Sequence, residues 1–235
     1  LPISSNKLLD PRIINNLVSV YPIGILNPQS TIVSNTVSII EKRYLEKDIF
    51  FNNLEYNGFN ITQNFLLAQT YLGRQNTKLF TILKWLLENN SPTNCWPESI
   101  HPKSGSGPAG DGHHILASAH YILLIRSMLV KEEGNSLHIT PIFPEEWLKN
   151  KNNTISIKNL PSHFGKLTFS YTFNKNEVTF EMSNKYKNEP TTIKLSLPKL
   201  IKQLEIPGET TQNVNKSFIH IPASISKIKI ILSKE

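Results

Sequence analysis

Cys95-Trp-Pro-Glu-Ser-Ile-His-Pro-Lys-Ser-Gly-Ser-Gly-Pro-Ala-Gly-Asp-Gly-His-His114 divides the chain into two kinds of sequence. Before it, apolar residues recur at helical spacing. Beyond Gly134 they alternate with period two. The stretch itself holds two acids (Glu98, Asp111), three histidines (His101, His113, His114) and Trp96, set among four glycines and three prolines. A connection this long and this dense in titratable groups is the kind of loop on which function concentrates.

Working back from it, four helices are legible. Asp10-Pro11 opens a short one over 12–20. Ser30 is placed to cap a second, whose stripe is Ile32, Val33, Val37, Ile40 and Tyr44. Segments 62–72 and 77–88 follow, joined by the tight link 73–76, and read as an antiparallel helical hairpin. Residues 48–60 form an aromatic, Asn-rich loop. Working forward, a strong helix is expected over 115–132, with small residues Ala117, Ser118 and Ala119 for close packing and Gly134 as its C-cap. The period then changes. Segments 154–158, 167–173, 177–182, 192–197, 218–221 and 227–232 alternate, and Asn174-Lys175-Asn176 reads as a hairpin turn. Six short strands predict an antiparallel β-sandwich or jelly-roll-like module. The fold class is therefore helical hairpins first, over 1–134, and a β module second, over 135–235.

Charge is unevenly spread. The chain of 235 residues carries +7. Residues 1–133 hold 11 basic and 10 acidic side chains, whereas 134–235 hold 14 and 8, every one of those 14 cations a lysine. They are scattered over strands and turns, so they read as a solvated surface that blunts sheet edges, not as a nucleic-acid patch. Cys95 is the one cysteine, which leaves no intramolecular disulfide and no cysteine metal site. No apolar run reaches the length of a membrane helix, and residues 1–9 lack the features of a signal peptide. Because residue 1 is leucine, the sequence reads as processed or cut from something longer, and its compartment stays open. Asn60, Asn152 and Asn215 begin Asn-x-Ser/Thr triplets, which are expected by chance in an Asn-rich chain.

The loop's chemistry matches carbohydrate work. Glycoside hydrolysis needs two carboxyl groups across the scissile bond. Glu98 follows Pro97, whose fixed φ stiffens the turn, and Trp96 is a candidate platform for a sugar ring. Gly105, Gly107, Gly110 and Gly112 would let backbone approach a ligand closely. Asp111 fits equally a cap for the following helix and a ligand contact. His101 with Glu98 and either His113 or His114 matches no metal-ligand spacing, so neither a metal nor another cofactor is expected. His120 reads as an ordinary helix residue. Ser104 and Ser106 near His101 and Asp111 lack a strand-borne nucleophile elbow, and Gly105–Gly110 has no strand before it, which argues against a dinucleotide fold.

The run from Trp96 to Pro102, then Gly105-Ser106-Gly107, then Gly110 to His114, resembles the late part of six-hairpin glycosidase-like proteins, the toroids of glucoamylase-type and debranching-type hydrolases. Arg126, Glu132-Glu133-Gly134, Pro144-Glu145-Glu146-Trp147 and Phe164-Gly165 continue the likeness, which covers about residues 55–185. It implies an (α/α) toroid, incomplete here because a full one needs twelve helices, so that a missing N-terminal portion or a partner chain would complete it. It also implies an oligosaccharide or polysaccharide substrate and an inverting glycoside hydrolase. Glu98 would be the general base, with Trp96, His101, Asp111, His113, His114, Arg126 and, loosely, Glu55 around the substrate. Two other readings stand beside it: a carbohydrate-binding or assembly module without activity, and a glycoside phosphorylase in which His113, His114 and Arg126 contact phosphate. Neither nucleic acid nor membrane is an expected partner.

Overall fold

The computed structural model describes residues 10–55, 57–110, 112–149, 152–183, 185–199, 201–207, 212–213 and 217–233. The chain forms two compact units, Leu1–Ser127 and Met128–Glu235.

The first unit is helical. A 3₁₀ segment, Pro11–Ser19, replaces the expected short α-helix. Asp10 caps it by accepting the Arg12 N–H at 2.9 Å, and it buries Ile13, Ile14 and Leu17. Four α-helices follow: α1 (Thr31–Arg43), α2 (Ile61–Gly73), α3 (Lys78–Glu88) and α4 (Ile115–Leu129). Ser30 caps α1, as its position suggests. Helix α2 is the centre of the unit, with 11 of its 13 residues buried. A helix enclosed on all sides needs partners for its polar residues as well as its apolar ones. Tyr71 meets that need by donating to the Glu41 carboxylate on α1 at 2.9 Å, while Lys78 from α3 reaches the same oxygen at 2.7 Å. Helices α2 and α3 pack together as the expected hairpin.

Among the described residues no toroid is evident. They form five helical segments in this unit, and the 3₁₀ segment packs against both α1 and α2. Two short antiparallel ladders, Leu45–Glu46 with Ile49–Phe50 and Phe59–Asn60 with Ser99–Ile100, occupy the connections between them.

The second unit is mostly antiparallel sheet. Its longer strands are β1 (Val130–Glu133), β2 (Ser136–Ile139), β3 (Asn153–Ser162), β4 (Gly165–Asn174), β5 (Glu177–Met182), β6 (Thr192–Ser196), β7 (Ile201–Glu205), β8 (Phe218–Ile221) and β9 (Lys227–Leu232). A four-stranded sheet runs β8-β6-β2-β1, in which β6 and β2 are parallel. The larger, seven-stranded sheet runs through β4-β5-β9-β7, with β3 on β4. Both sheets contribute to one core: Leu137, Ile139, Ile193 and Leu195 from the smaller, Phe169, Tyr171, Phe180, Ile228 and Ile230 from the larger. Strand alternation places Asn174-Lys175-Asn176 at the β4–β5 turn, as the sequence predicts.

The expected helix over 115–132 ends early. Val130 to Glu133 extend as β1, Gly134 turns the hairpin with φ +57, and Leu129 accepts the Thr140 N–H at 2.8 Å. The two compact units divide at Ser127/Met128. Pairing with β2 satisfies backbone groups that a longer helix would have bonded internally.

Candidate functional site

The loop between α3 and α4 is built from beneath by Trp96. The expected platform is enclosed: the ring is 1% exposed, edge-on to Phe65 at 5.7 Å and tilted against Tyr121 at 5.4 Å. Its indole N–H donates to the Leu86 carbonyl at 2.8 Å. Leu86 lies in the last turn of α3, where its carbonyl also takes the Asn89 N–H at a long 3.4 Å, so the indole both fills the core and helps cap the helix. Its backbone carbonyl accepts the His114 N–H at 2.8 Å, which pins the far end of the loop to its beginning. Trp96 therefore anchors the loop and presents no free ring face.

Glu98 is held by its backbone from two sides. Its carbonyl accepts the Ile61 N–H at 3.0 Å, at the start of α2. On the other side Gly110, at φ +85, lies so close that a Cβ there would stand 2.9 Å from the Glu98 nitrogen. Both demands select glycine at 110. Gly107 approaches Pro97 as closely, and Ser99 bridges Ala109 across the loop. The half-buried Glu98 carboxylate has no hydrogen-bond partner among the described residues.

His101 is half-buried, and its Nδ1 accepts the N–H groups of Lys103 at 3.3 Å and Ser104 at 3.4 Å. This assigns the proton of the neutral ring to Nε2, leaving that N–H as a donor. The hydroxyls of Ser104 and Ser106 meet at 2.8 Å on the exposed crest. His113 is exposed. His114 begins α4, where its carbonyl accepts the Ala117 N–H at 3.0 Å. Its Nδ1 is buried without a partner, as is the Nδ1 of His120. Burial, and then the neighbouring His114, hold the His120 pKa below the ordinary histidine value. The ring stacks on Phe65 at 6.4 Å, so it belongs to this cluster and is more than a plain helix residue.

Three other candidates are placed differently. Asp111 lies outside the described residues. Arg126 sits in the last turn of α4, about 16 Å along the helix axis from Ile115, at the end away from the loop. Glu55 is exposed, takes a long 3.5 Å bond from Asn52, and acts on the Arg12 guanidinium.

A buried amide network, which residue-by-residue reading missed, holds the second side of the site. Asn64 on α2 donates to the carbonyls of Phe50 and Asn60 and accepts the Phe50 N–H, each at 2.9 Å. Asn60 caps α2 through the Gln63 N–H at 3.0 Å, and Asn52 donates to Gln63 at 3.2 Å. These contacts fix Phe59–Asn60, the strand partner of Ser99–Ile100, directly beside Glu98. The only signal in the sequence is the density of asparagine over 48–64.

Among the described residues, no group of three or more His, Cys, Asp or Glu could hold a metal ion, and no helix is long and apolar enough to cross a membrane. No family model matches the chain, and no curated protein matches it.

Proposed function

We propose that this chain is the C-terminal part of an inverting glycoside hydrolase, incomplete as a helical toroid and followed by a β-sandwich, with Glu98 as general base. The observation that carries the reading is the contrast within Glu98 itself: a peptide immobilised by Ile61 and Gly110, and a carboxylate without a hydrogen-bond partner among the described residues. A general base needs this combination, since it must stay fixed while its oxygens remain available to water. In the reaction the Glu98 carboxylate takes a proton from a water attacking the anomeric carbon. The proton donor, about 6.5–9.5 Å away, protonates the leaving oxygen from the opposite side. The Nε2–H of His101 and the hydroxyls of Ser104 and Ser106 supply neutral contacts for sugar hydroxyls.

The test uses the natural gene product at its full length. Hydrolysis of α- and β-linked oligosaccharides is followed by proton NMR, which reads the anomer first released. Glu98→Gln is expected to lower kcat by about 10³-fold or more with little change in KM. Activity within twofold of the parent would reject the assignment.

One observation favours a second reading, an assembly module. Ile115, Leu116, Ile122 and Leu123 leave an apolar stripe of α4 exposed, at 83%, 50%, 66% and 41% respectively. An apolar patch of this kind marks an interaction surface. If the full-length product hydrolyses no glycoside but forms a stable complex that a charge at Ile122 disrupts, assembly is the better account.

A further inference from the structure

The outward face of the larger sheet carries a groove whose chemistry differs from the rest of the β unit. Strand registers line up two rows across four strands. One row is Ser156, Ser170, Glu181 and Lys227; the other is Thr154, Thr172, Thr179 and Lys229. The residues between them, such as Phe169, Tyr171, Phe180 and Ile228, point the other way into the core. Elsewhere this unit is rich in lysine, whose long side chains cover sheet faces. Here Ser156 and Ser170 stand opposite each other, and two short side chains leave a trough.

The trough is a cavity of about 370 Å³, within the range of small-ligand sites. Four serines, Ser156, Ser170, Ser183 and Ser226, line it together with Thr168, Phe169 and Met182. Strand β3 is irregular between Ile157 and Leu160, and there Asn159, at φ +55, donates its N–H to the Thr168 hydroxyl of the lining at 3.1 Å. Within the lining, the Met182 N–H donates to the Ser226 carbonyl and the Ser183 N–H to the Thr168 carbonyl, at 2.8 and 2.9 Å. Glu181 and Lys227 close one end as an ion pair at 2.9 Å, with both side chains about half exposed. A pair so exposed is weak and can open toward a ligand.

We propose that this groove binds a neutral oligosaccharide chain. The four serines, whose hydroxyls both donate and accept, match the hydroxyls of a sugar, which do the same. The acid and base cancel each other's charge, so the groove selects neither an anion nor a cation, while Glu181 can accept from a pair of sugar hydroxyls and Lys227 can donate to one. Openness along the sheet suits a polymer over a small enclosed ligand. All its residues belong to the second unit, and the proposal does not rest on hydrolysis at Glu98.

The chain is labelled with ¹⁵N and titrated with maltohexaose, cellohexaose and xylohexaose to about 20 mM, a range that reads millimolar dissociation constants. At least one is expected to shift the amides of Thr168, Ser170, Ser183 and Ser226 in a saturable way. Ser170→Lys, which fills the trough from an outward position, is expected to weaken that binding about tenfold or more. Ser156→Lys on the exposed face of β3 gives the same readout if Ser170→Lys lowers the melting temperature. The proposal is overturned if none of the three sugars shifts these amides, if shifts are confined to residues 95–114, or if the folded lysine variant binds as the parent does.

Discussion

His138 in the β unit and His120 in the helical unit both have pKa values held below the ordinary histidine range by burial. Their ring nitrogens meet different fates. The His138 Nε2 lies 3.0 Å from the Ser196 hydroxyl, whose single proton is donated to the Pro141 carbonyl at 3.0 Å. The ring must then be the donor to Ser196, so this pair is a satisfied structural relay and not a nucleophile with its base. The Nδ1 atoms of His114 and His120 are buried without partners, and so is the Ser99 hydroxyl. Ser99 adjoins Glu98 in the chain, His114 is tied to Trp96, and His120 stacks on Phe65 beside the same tryptophan. Each orphan costs about 1–3 kcal/mol, a burden that persists where a site needs groups in place before a ligand arrives. Among the described residues, the buried polar side-chain atoms without a partner are these three, all in the helical unit.

The largest effect that sharpens this contrast is expected at Trp96. Trp96→Ala removes a fully enclosed ring and uncaps Leu86, and should destabilise the helical unit by about 3–5 kcal/mol. Residue-resolved hydrogen exchange should show α2 and α3 losing protection while β4–β6 keep theirs. Equal loss in both units would break the distinction.

Next comes acid. Burial first, then Lys194, lowers the His138 pKa to about 4, with Glu133 opposing. Between its ordinary value of 6.5 and about 4, the unfolded chain binds a proton that the folded chain does not, so stability is complete above pH 6.5 and falls as pH drops toward 4. The loss approaches about 3 kcal/mol. Denaturant unfolding followed by Trp147 fluorescence at several pH values should show the decline, and His138→Leu should flatten it. A decline unchanged in His138→Leu would place the acid sensitivity elsewhere.

A smaller effect is expected from Gly110→Ala, about 1–3 kcal/mol, because a Cβ at φ +85 is strained and meets the Glu98 nitrogen. The signature that separates this from ordinary destabilisation is a shift of the Glu98 amide resonance in the folded protein. Smallest of all, Glu98→Gln should alter stability by less than about 0.5 kcal/mol, since the backbone and not the carboxylate holds the loop. A clear destabilisation would show that the carboxylate has a structural partner and would undercut its role as a base.

Much of the fold was legible from local pattern. Alternation placed the strands that became β3 to β6, β8 and β9, and Ser30 marked the start of α1. Each misreading has its own cause. Residues 130–133 continue a helical pattern, yet their backbone pairs with Ser136–Ile139. Strand β7, Ile201–Glu205, was not recognised because its ladder with β9 is interrupted at Ile201/Gln203 and its alternation is short. In the loop, the sequence offered Glu98 and His101 as candidates in a stiff turn, and the structure holds the Glu98 backbone from two sides. The sequence misjudged Trp96, since an aromatic beside an acid reads alike whether its ring is open or enclosed.

By itself the sequence determined the helix-then-strand order, the turn residues and the gathering of acids and histidines between α3 and α4. These depend on spacing along the chain, which periodicity and turn chemistry report directly. Only the tertiary structure decided that Trp96 caps α3, that Asn52, Asn60 and Asn64 brace the strand beside Glu98, and that Arg126 lies at the far end of α4. It alone set serines opposite one another on β3 and β4 to open a groove. Those outcomes depend on partners distant in the chain, and a residue's own neighbours carry no record of which distant group will satisfy its hydrogen bonds or cover its face.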